Sequence, residues 1–424
     1  MVRELKHTEI GDIPVDWELQ TFDETFRVIS NNTLSRENLN NRGGAVRNIH
    51  YGDILTKFPE VLDCSEDEIP FVNDLSLLSS STQLLQDGDV VIADTAEDET
   101  VGKVTEVQNL GDSKLVAGLH TIPCRVKKGD FAPGWLGYYM NSKVFHEQVL
   151  PYVTGIKVSS ISKSAIADTL ILIPPKKEQI AIVEMFEEID KAIETLRKFV
   201  VKKKEVKLGL LQKLLSPDFR IEEFSEAWSI DSLKNVSTRI GVGLATSVTE
   251  HYCSSGVPIF RNLNIKENYL DDSDILYLDE EFAARNPSKI IHTGDVLTVH
   301  TGYVGTSCVV PQKHDGAMTF TTLITSTKKE VLLPEYLAYH LNSSYGHKEV
   351  ENLQASGGRN NLNVSDFEQY TIKYPKDINE QKTIISILSD ADRDISAHLF
   401  KLEKQINLKS GMIDELISGK IRLV

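Results

Sequence analysis

Pro174–Pro175–Lys176–Lys177–Glu178–Gln179 opens an apolar-periodic run that closes at Leu214–Leu215–Ser216, and Pro375–Lys376 leads through Asn379–Glu380–Gln381 into a second run closing at Leu416–Ile417–Ser418. The offset between the two is 202 residues at Glu178 and Glu380, and still 202 at Asp190 and Asp392, Leu214 and Leu416, and Arg220 and Arg422. A constant offset over so long a stretch marks a duplicated unit. The period is far longer than the 20–50 residues of a solenoid repeat. The chain therefore reads as two large globular units, each followed by one long helix.

The duplication continues into the globular parts with a drifting offset. Trp17–Glu18–Leu19 answers Trp228–Ser229–Ile230, and Val46–Arg47–Asn48–Ile49 answers Phe260–Arg261–Asn262–Leu263. Gly88–Asp89–Val90–Val91 answers Gly294–Asp295–Val296–Leu297, and Trp135–Leu136–Gly137–Tyr138 with Asn141–Ser142 answers Tyr336–Leu337–Ala338–Tyr339 with Asn342–Ser343. The frames match while the loops between them differ in length and content, as in two modules doing one job on different targets.

Within the long runs, apolar residues fall at Ile182, Phe186, Ile189, Ile193, Leu196 and Val200 in the first. In the second they fall at Ile395, Leu399, Leu402 and Ile406 in steps of four, three and four, with Ile413 one heptad further on. That spacing is heptad-like and predicts a helix–helix seam. A helix over 178–215 is about 57 Å long at ~1.5 Å per residue. Two copies of one unit joined this way pair most simply as antiparallel helices about a pseudo-two-fold axis; two helices each packing on its own unit is the alternative. The run Lys202–Lys203–Lys204 reads first as a solvated helix face, with a phosphate or partner contact as the second reading. Elsewhere, strands are predicted at Asp89–Ala93, Leu170–Ile173, Val257–Phe260, Asp295–Val299 and Ser307–Val310, and helices at Trp135–Val149 and Pro334–Leu353. The predicted fold is mixed α/β (α+β). Its segments are 1–174 (first globular domain), 175–216 (first spacer helix), 217–374 (second globular domain) and 375–424 (second spacer helix).

The 424 residues carry a formal charge of −16. Residues 1–175 hold 26 acidic against 15 basic side chains, whereas 176–215 hold 10 basic against 7 acidic. Phosphate contacts supply most non-specific affinity for DNA, so a nucleic-acid role would need local basic patches or a basic partner, with only weak binding by the isolated chain. No stretch approaches 18 apolar residues, which argues against a membrane span. The opening Met1–Val2–Arg3–Glu4–Leu5–Lys6 is not expected to be a signal peptide. Cys64, Cys124, Cys253 and Cys308 form no CxxC pair and read as reduced cytosolic thiols without zinc. There is no GxxxxGK[ST], HExxH or GxSxG pattern, and Gly241–Val242–Gly243 lacks the rest of a dinucleotide loop. His120 and His300 read as structural or DNA-facing. The chain is expected to bind, not to catalyse.

Base edges are read by Arg, Lys, Asn, Gln, Ser and Thr, and three loop clusters of that make-up recur in both units. The first is Arg47–Asn48 with Tyr51, matched by Arg261–Asn262 with Asn264. The second follows the Gly-Asp-Val strand: Thr95 through Lys103, matched by Thr301–Gly302–Tyr303–Val304–Gly305–Thr306. The third is Gly155–Ile156–Lys157–Val158–Ser159–Ser160, matched by Ser356–Gly357–Gly358–Arg359–Asn360–Asn361–Leu362–Asn363. Strand-edge turns and plain hairpin tips are the structural alternatives for the first two.

With these clusters goes the opening Thr8–Glu9–Ile10–Gly11–Asp12–Ile13–Pro14 with Trp17–Glu18, the Gly-Asp-Val strand of each half, and the Glu-Gln start and Leu-Leu-Ser or Leu-Ile-Ser-Gly end of each long run. In that order, over the whole length, the set resembles the DNA specificity subunit of type I restriction-modification systems. The resemblance implies two target recognition domains on double-stranded DNA, each reading half of a split site. It implies a helical spacer that docks two adenine-N6 methyltransferase subunits, with two restriction–translocase subunits joining through them. No cofactor is implied in this chain; S-adenosylmethionine, ATP and Mg²⁺ belong to the partners, and the location is cytoplasmic. A protein-binding coiled-coil adaptor without a DNA role is the rival reading. It accounts for the acidity but not for the Gly358–Arg359–Asn360–Asn361 loop.

Overall fold

The computed structural model describes residues 4–155, 157–357 and 361–423. It divides into two compact units. One takes the chain up to Leu196 together with Lys401 onward; the other is Arg197–Phe400.

Each unit repeats one plan. In the first, strands β1 (Phe26–Val28), β2 (Val61–Asp63), β3 (Val90–Ala93), β4 (Val104–Gln108) and β5 (Thr121–Val126) form a sheet in the order β1-β5-β3-β4-β2. In the second, β6 (Ser237–Val242), β7 (Val296–Val299), β8 (Ser307–Val309) and β9 (Thr322–Thr327) form the order β6-β9-β7-β8. The second sheet thus repeats the first without an equivalent of β2. A smaller four-stranded sheet accompanies each, with Arg47–Ile49 parallel to Leu115–Ala117 in one and Val257–Phe260 parallel to Met318–Thr319 in the other. Strand Leu170–Ile173 closes on Glu18–Thr21, as Thr371–Tyr374 closes on Ser229–Ser232.

The repeated Gly-Asp-Val motif has a physical reason in both units. Gly88 (φ 83) and Gly294 (φ 88) take the left-handed conformation that favours glycine. The next residue, Asp89 or Asp295, is buried and turns its carboxylate back onto the backbone N–H of Gln86 or His292. Arg125 then grips Asp89 with both arms at 2.8 and 2.6 Å.

The long helices are Lys176–Leu214 and Ile378–Ile417. In the first unit Lys409 pairs with Asp190 at 2.6 Å, and Ile182, Val183 and Phe186 share a core with Leu416 and Ile417. In the second unit Lys203 pairs with Asp394 at 2.8 Å, Lys207 pairs with Asp392, and Leu211 and Leu214 share a core with Ile384 and Leu388. Rising numbers on one helix meet falling numbers on the other, so the pairing is antiparallel. Lys207–Asp392 and Lys409–Asp190 are the same pair seen twice, 202 residues apart.

The Glu-Gln that opens each helix is a clamp. Gln179 donates to Pro174 O at 2.8 Å and accepts Ala132 N at 2.8 Å; Gln381 donates to Pro375 O at 2.8 Å and accepts Leu333 N at 2.9 Å. Glu178, fully buried, accepts the Trp17 indole N–H at 3.0 Å, and Glu380 accepts that of Trp228 at 3.2 Å.

The two shorter predicted helices are each broken in two. Trp135–Val149 is Trp135–Met140 followed by Lys143–Val149, and Pro334–Leu353 is Pro334–Leu341 followed by Ser344–Gly357. The break falls at the repeated Asn-Ser pair, because that asparagine is committed to a strand. Asn141 accepts Val104 N at 3.0 Å and donates to Val104 O at 2.8 Å; Asn342 accepts Ser307 N at 2.9 Å and donates to Ser307 O at 2.8 Å. Ser142 and Ser343 then donate to the carbonyls of Tyr139 and His340.

One core position differs in a way that acid should reveal. His340 is enclosed in the second unit, with Nδ1 2.8 Å from the Tyr370 hydroxyl, and burial pushes its imidazole down to about 4. An unfolded histidine titrates near 6.5. The folded value is the lower one, so the unfolded chain binds more protons between the two. Stability is therefore full above about pH 6.5 and falls by roughly 3 kcal/mol as pH drops toward 4. The matched residue in the first unit is Tyr139, which does not titrate in that window. Hydrogen-exchange protection, corrected for the intrinsic slowing of amide exchange at lower pH, is expected to fall between pH 7 and pH 4.5 far more in Pro334–Leu341 than in Trp135–Met140, and His340→Gln to flatten the difference.

Candidate nucleic-acid interface

The three loop clusters meet in each unit. In the first, Thr95 and Ala96 pair with Ser160 and Ser159, and Ile161 N donates to Asp94 O at 2.9 Å, joining the second cluster to the third. The Thr95 hydroxyl donates to Asp94 Oδ1 at 2.8 Å and lies 3.2 Å from His120 Nδ1. The Tyr51 ring meets His120 edge-on at 5.3 Å, which brings in the first cluster. In the second unit Leu362 N donates to His300 O at 3.1 Å, the counterpart of the Ile161 bond. Asn262 donates to Thr301 Oγ1 at 2.8 Å and accepts the Thr322 hydroxyl at 3.2 Å.

Not every predicted residue faces outward. Arg47 lies inside a sheet with Nη1 donating to Cys64 O at 2.6 Å, and Asn48 is fully buried, accepting Asn32 Nδ2 at 2.8 Å. Their strand is flanked by neighbours on both sides, so both residues support the loop from within and the expectation of base contact is corrected. Asn264 is also buried: it accepts Arg261 N and donates to the carbonyls of Asp271 and Asp274, capping a turn. Lys103 reaches inward to Leu55 O at 3.2 Å, and burial lowers its ammonium from the usual range, so it is a helix-end contact and not a phosphate grip. Arg261 is half-buried and paired with Asp274 at 2.6 Å. Asn363 donates to Asp366 at the start of a short helix. Gly358, Arg359, Asn360 and Ile156 lie outside the described residues.

On the accessible face stand Tyr51, Thr95, Ser159 and Ser160, half-buried, and Lys157, exposed, in the first unit. In the second stand Asn262, Thr301 and Thr306, half-buried, with Tyr303 and Asn361 exposed. Two features escaped the sequence. His120 (φ 54) and Thr321 (φ 47) occupy matched positions just before β5 and β9, and both hold a left-handed conformation. A β-branched residue there is strained, and strain of this kind gathers at functional sites. Leu263, beside Asn262, is 51% exposed.

The two faces differ in charge. The turn between β3 and β4 carries exposed Glu97, Asp98 and Glu99. The Thr100 hydroxyl and amide hold Asp98 below the usual carboxylate range. The matched turn between β7 and β8 is uncharged. Among the described residues no cluster of His, Cys, Asp and Glu has metal-ligating geometry, and no helix is long and apolar enough to cross a membrane.

A two-fold repeat of loop-bearing α/β modules on antiparallel helices defines a class of modular recognition proteins. The model of the type I restriction modification DNA specificity domain matches this chain twice, at residues 14–203 and 228–408. The chain belongs to that family, whose members are non-catalytic DNA recognition subunits. It is 23% identical to the type I restriction enzyme MjaX specificity subunit of Methanocaldococcus jannaschii, across 99% of this chain and 96% of that one. The crystal structure of the type I restriction-modification S subunit from M. genitalium superposes with a TM-score of 0.55 at 13% identity, covering 98% of this chain and 99% of that one. A chain from a structural study of complex assembly and conformational transition of the type I R-M system superposes with a TM-score of 0.58 at 16% identity, covering 96% of this chain and 99% of that one. Both share its fold.

Proposed function

We propose that this specificity subunit reads a bipartite DNA site, one half by each globular unit, and carries two methyltransferase subunits and, through them, two restriction–translocase subunits in the cytoplasm. The observation that carries the reading is the convergence, in both units, of three loop clusters at matched positions, the second and third joined by equivalent backbone bonds, Ile161 N to Asp94 O and Leu362 N to His300 O. Segments 1–174 and 217–374 act as the readers; 175–216 and 375–424 act as the spacer and docking surface. S-adenosylmethionine, ATP and Mg²⁺ belong to the partners.

Two readers on one face of B-DNA sit most simply about one helical turn, ~10 bp, apart, and helices of fixed length would set the unread gap. Inserting four residues at Val200 is expected to lengthen that gap in the methylated motif while leaving both half-sites intact. An unchanged motif would sink the ruler. The acidity implies that the methyltransferase subunits supply much of the phosphate grip. The purified chain alone is expected to lose DNA by about 200 mM salt, whereas the complex with methyltransferase keeps it; tight specific binding by the chain alone at that salt contradicts this division of labour.

A further inference from the structure

The turn between β7 and β8 projects Tyr303, which at 89% is the most exposed large hydrophobic side chain among the described residues. The turn holding it is well anchored. Gly302 (φ 81) and Gly305 (φ 97) take the left-handed conformation; Gly305 N donates to Val299 O at 2.9 Å and Thr306 N to Tyr303 O at 3.3 Å. Gly305 rests on His347 and Val350, where an added Cβ would stand 3.4 and 3.5 Å from their side chains, and Val304 packs against the unit's core. On the other flank Asn262 ties Thr301 to Thr322, and its neighbour Leu263 is half exposed. A braced ribbon tip thus presents an aromatic ring, with an aliphatic side chain near its base, among hydroxyl and amide groups. The matched tip of the first unit presents Glu97, Asp98 and Glu99 and no aromatic residue.

A two-stranded ribbon fits the major groove of B-DNA, where hydroxyls and amides meet base edges and the apolar feature is the thymine C5-methyl. We propose that Tyr303, supported by Leu263, reads a thymine methyl in the half-site of the second unit, a contact that the first unit lacks. This rests on the second unit's being a DNA reader.

The test uses the complex with methyltransferase and duplexes in which each thymine of the second half-site is replaced in turn by deoxyuridine, which removes the methyl alone. Wild type is expected to lose about fivefold in affinity at one position, in line with burial of one methyl group. Tyr303→Ala is expected to bind the thymine duplex about tenfold more weakly and to be indifferent to uridine at that position. Tyr303→Phe keeps the wild-type response. Equal sensitivity to uridine in wild type and Tyr303→Ala overturns the assignment, as does a loss on Tyr303→Ala with no uridine effect at any position, the signature of a stacking or phosphate contact. Failure of the wild-type complex to bind the unmodified duplex overturns the DNA reading itself, and the assignment with it.

Discussion

Arg422→Ala is expected to destabilise the first unit by about 3–5 kcal/mol, the usual cost of removing one partner from a buried ion pair. Arg422 grips Glu178 with Nε at 2.7 Å and Nη2 at 2.5 Å, and turns Nη1 and Nη2 to Asp16 at 2.7 and 2.8 Å. Glu178 has no exposed surface. Without the arginine its side chain keeps, among the described residues, only the Trp17 indole as a partner, so the charge is left buried and under-compensated. The melting transition of the first unit should fall by roughly 10 °C. Arg422→Lys should recover little, because an ammonium cannot fork across two carboxylates. The second unit carries the same device more loosely: Arg220 reaches Glu380 at 3.3 and 3.2 Å and keeps more exposure. Arg220→Ala should therefore act on the second unit alone, with a smaller drop. Equal effects of either variant on both units would contradict the assignment of each clamp to one unit. The hydrogen bond from Arg422 holds the Asp16 carboxyl below its usual range. The folded value is the lower one, so that contribution is present above the unfolded value and is lost as pH falls through the folded one.

Asn342→Ala is expected to cost about 3 kcal/mol and to loosen the second reading surface. Its amide accepts Ser307 N and donates to Ser307 O and to Asn268 Oδ1, all at 2.8–2.9 Å. Ser307 is fully buried, so truncation leaves its N–H without a partner, at about 1–3 kcal/mol for each group stranded this way. Ser307 opens β8 directly after the Thr301–Thr306 turn, so that turn loses its base. Amide exchange from Gly305 to Cys308 should accelerate at least a hundredfold by that free energy, with methylation of the second half-site weakened and the first retained. Asn342→Asp should be no better, since a carboxylate would face two oxygen acceptors. Unaltered exchange at the turn would show that the asparagine is dispensable there.

How much of this was legible in the sequence depends on whether a residue's partner lies nearby in the chain or far away. The long helices were legible because their apolar spacing and 202-residue offset are local and repeated. The Gly-Asp-Val strand was legible because a left-handed glycine and a carboxylate turned onto its own loop form a short-range motif. The Asn-Ser pair was visible as a repeat, but not as a helix break, since its partners Val104 and Ser307 lie 37 and 35 residues away. The burial of Arg47 and Asn48 was hidden for the same reason. Their side-chain chemistry suits base edges, and only the flanking strands Leu115–Ala117 and Phe71–Val72 turn them inward. Arg220 and Arg422 stood out as a matched pair, yet nothing local shows that each grips the start of the other copy's helix. The left-handed backbone at His120 and Thr321 was not legible, because a β-branched threonine disfavours that conformation and the modest enrichment of histidine in it is too weak a signal to place one residue.

The most direct measurement is the methylome of a host lacking adenine methylation, carrying this chain with its methyltransferase. A split motif with two defined half-sites and one fixed gap is the predicted result. A continuous motif, or a stable complex that leaves no N6-methyladenine at any defined site, would contradict the account.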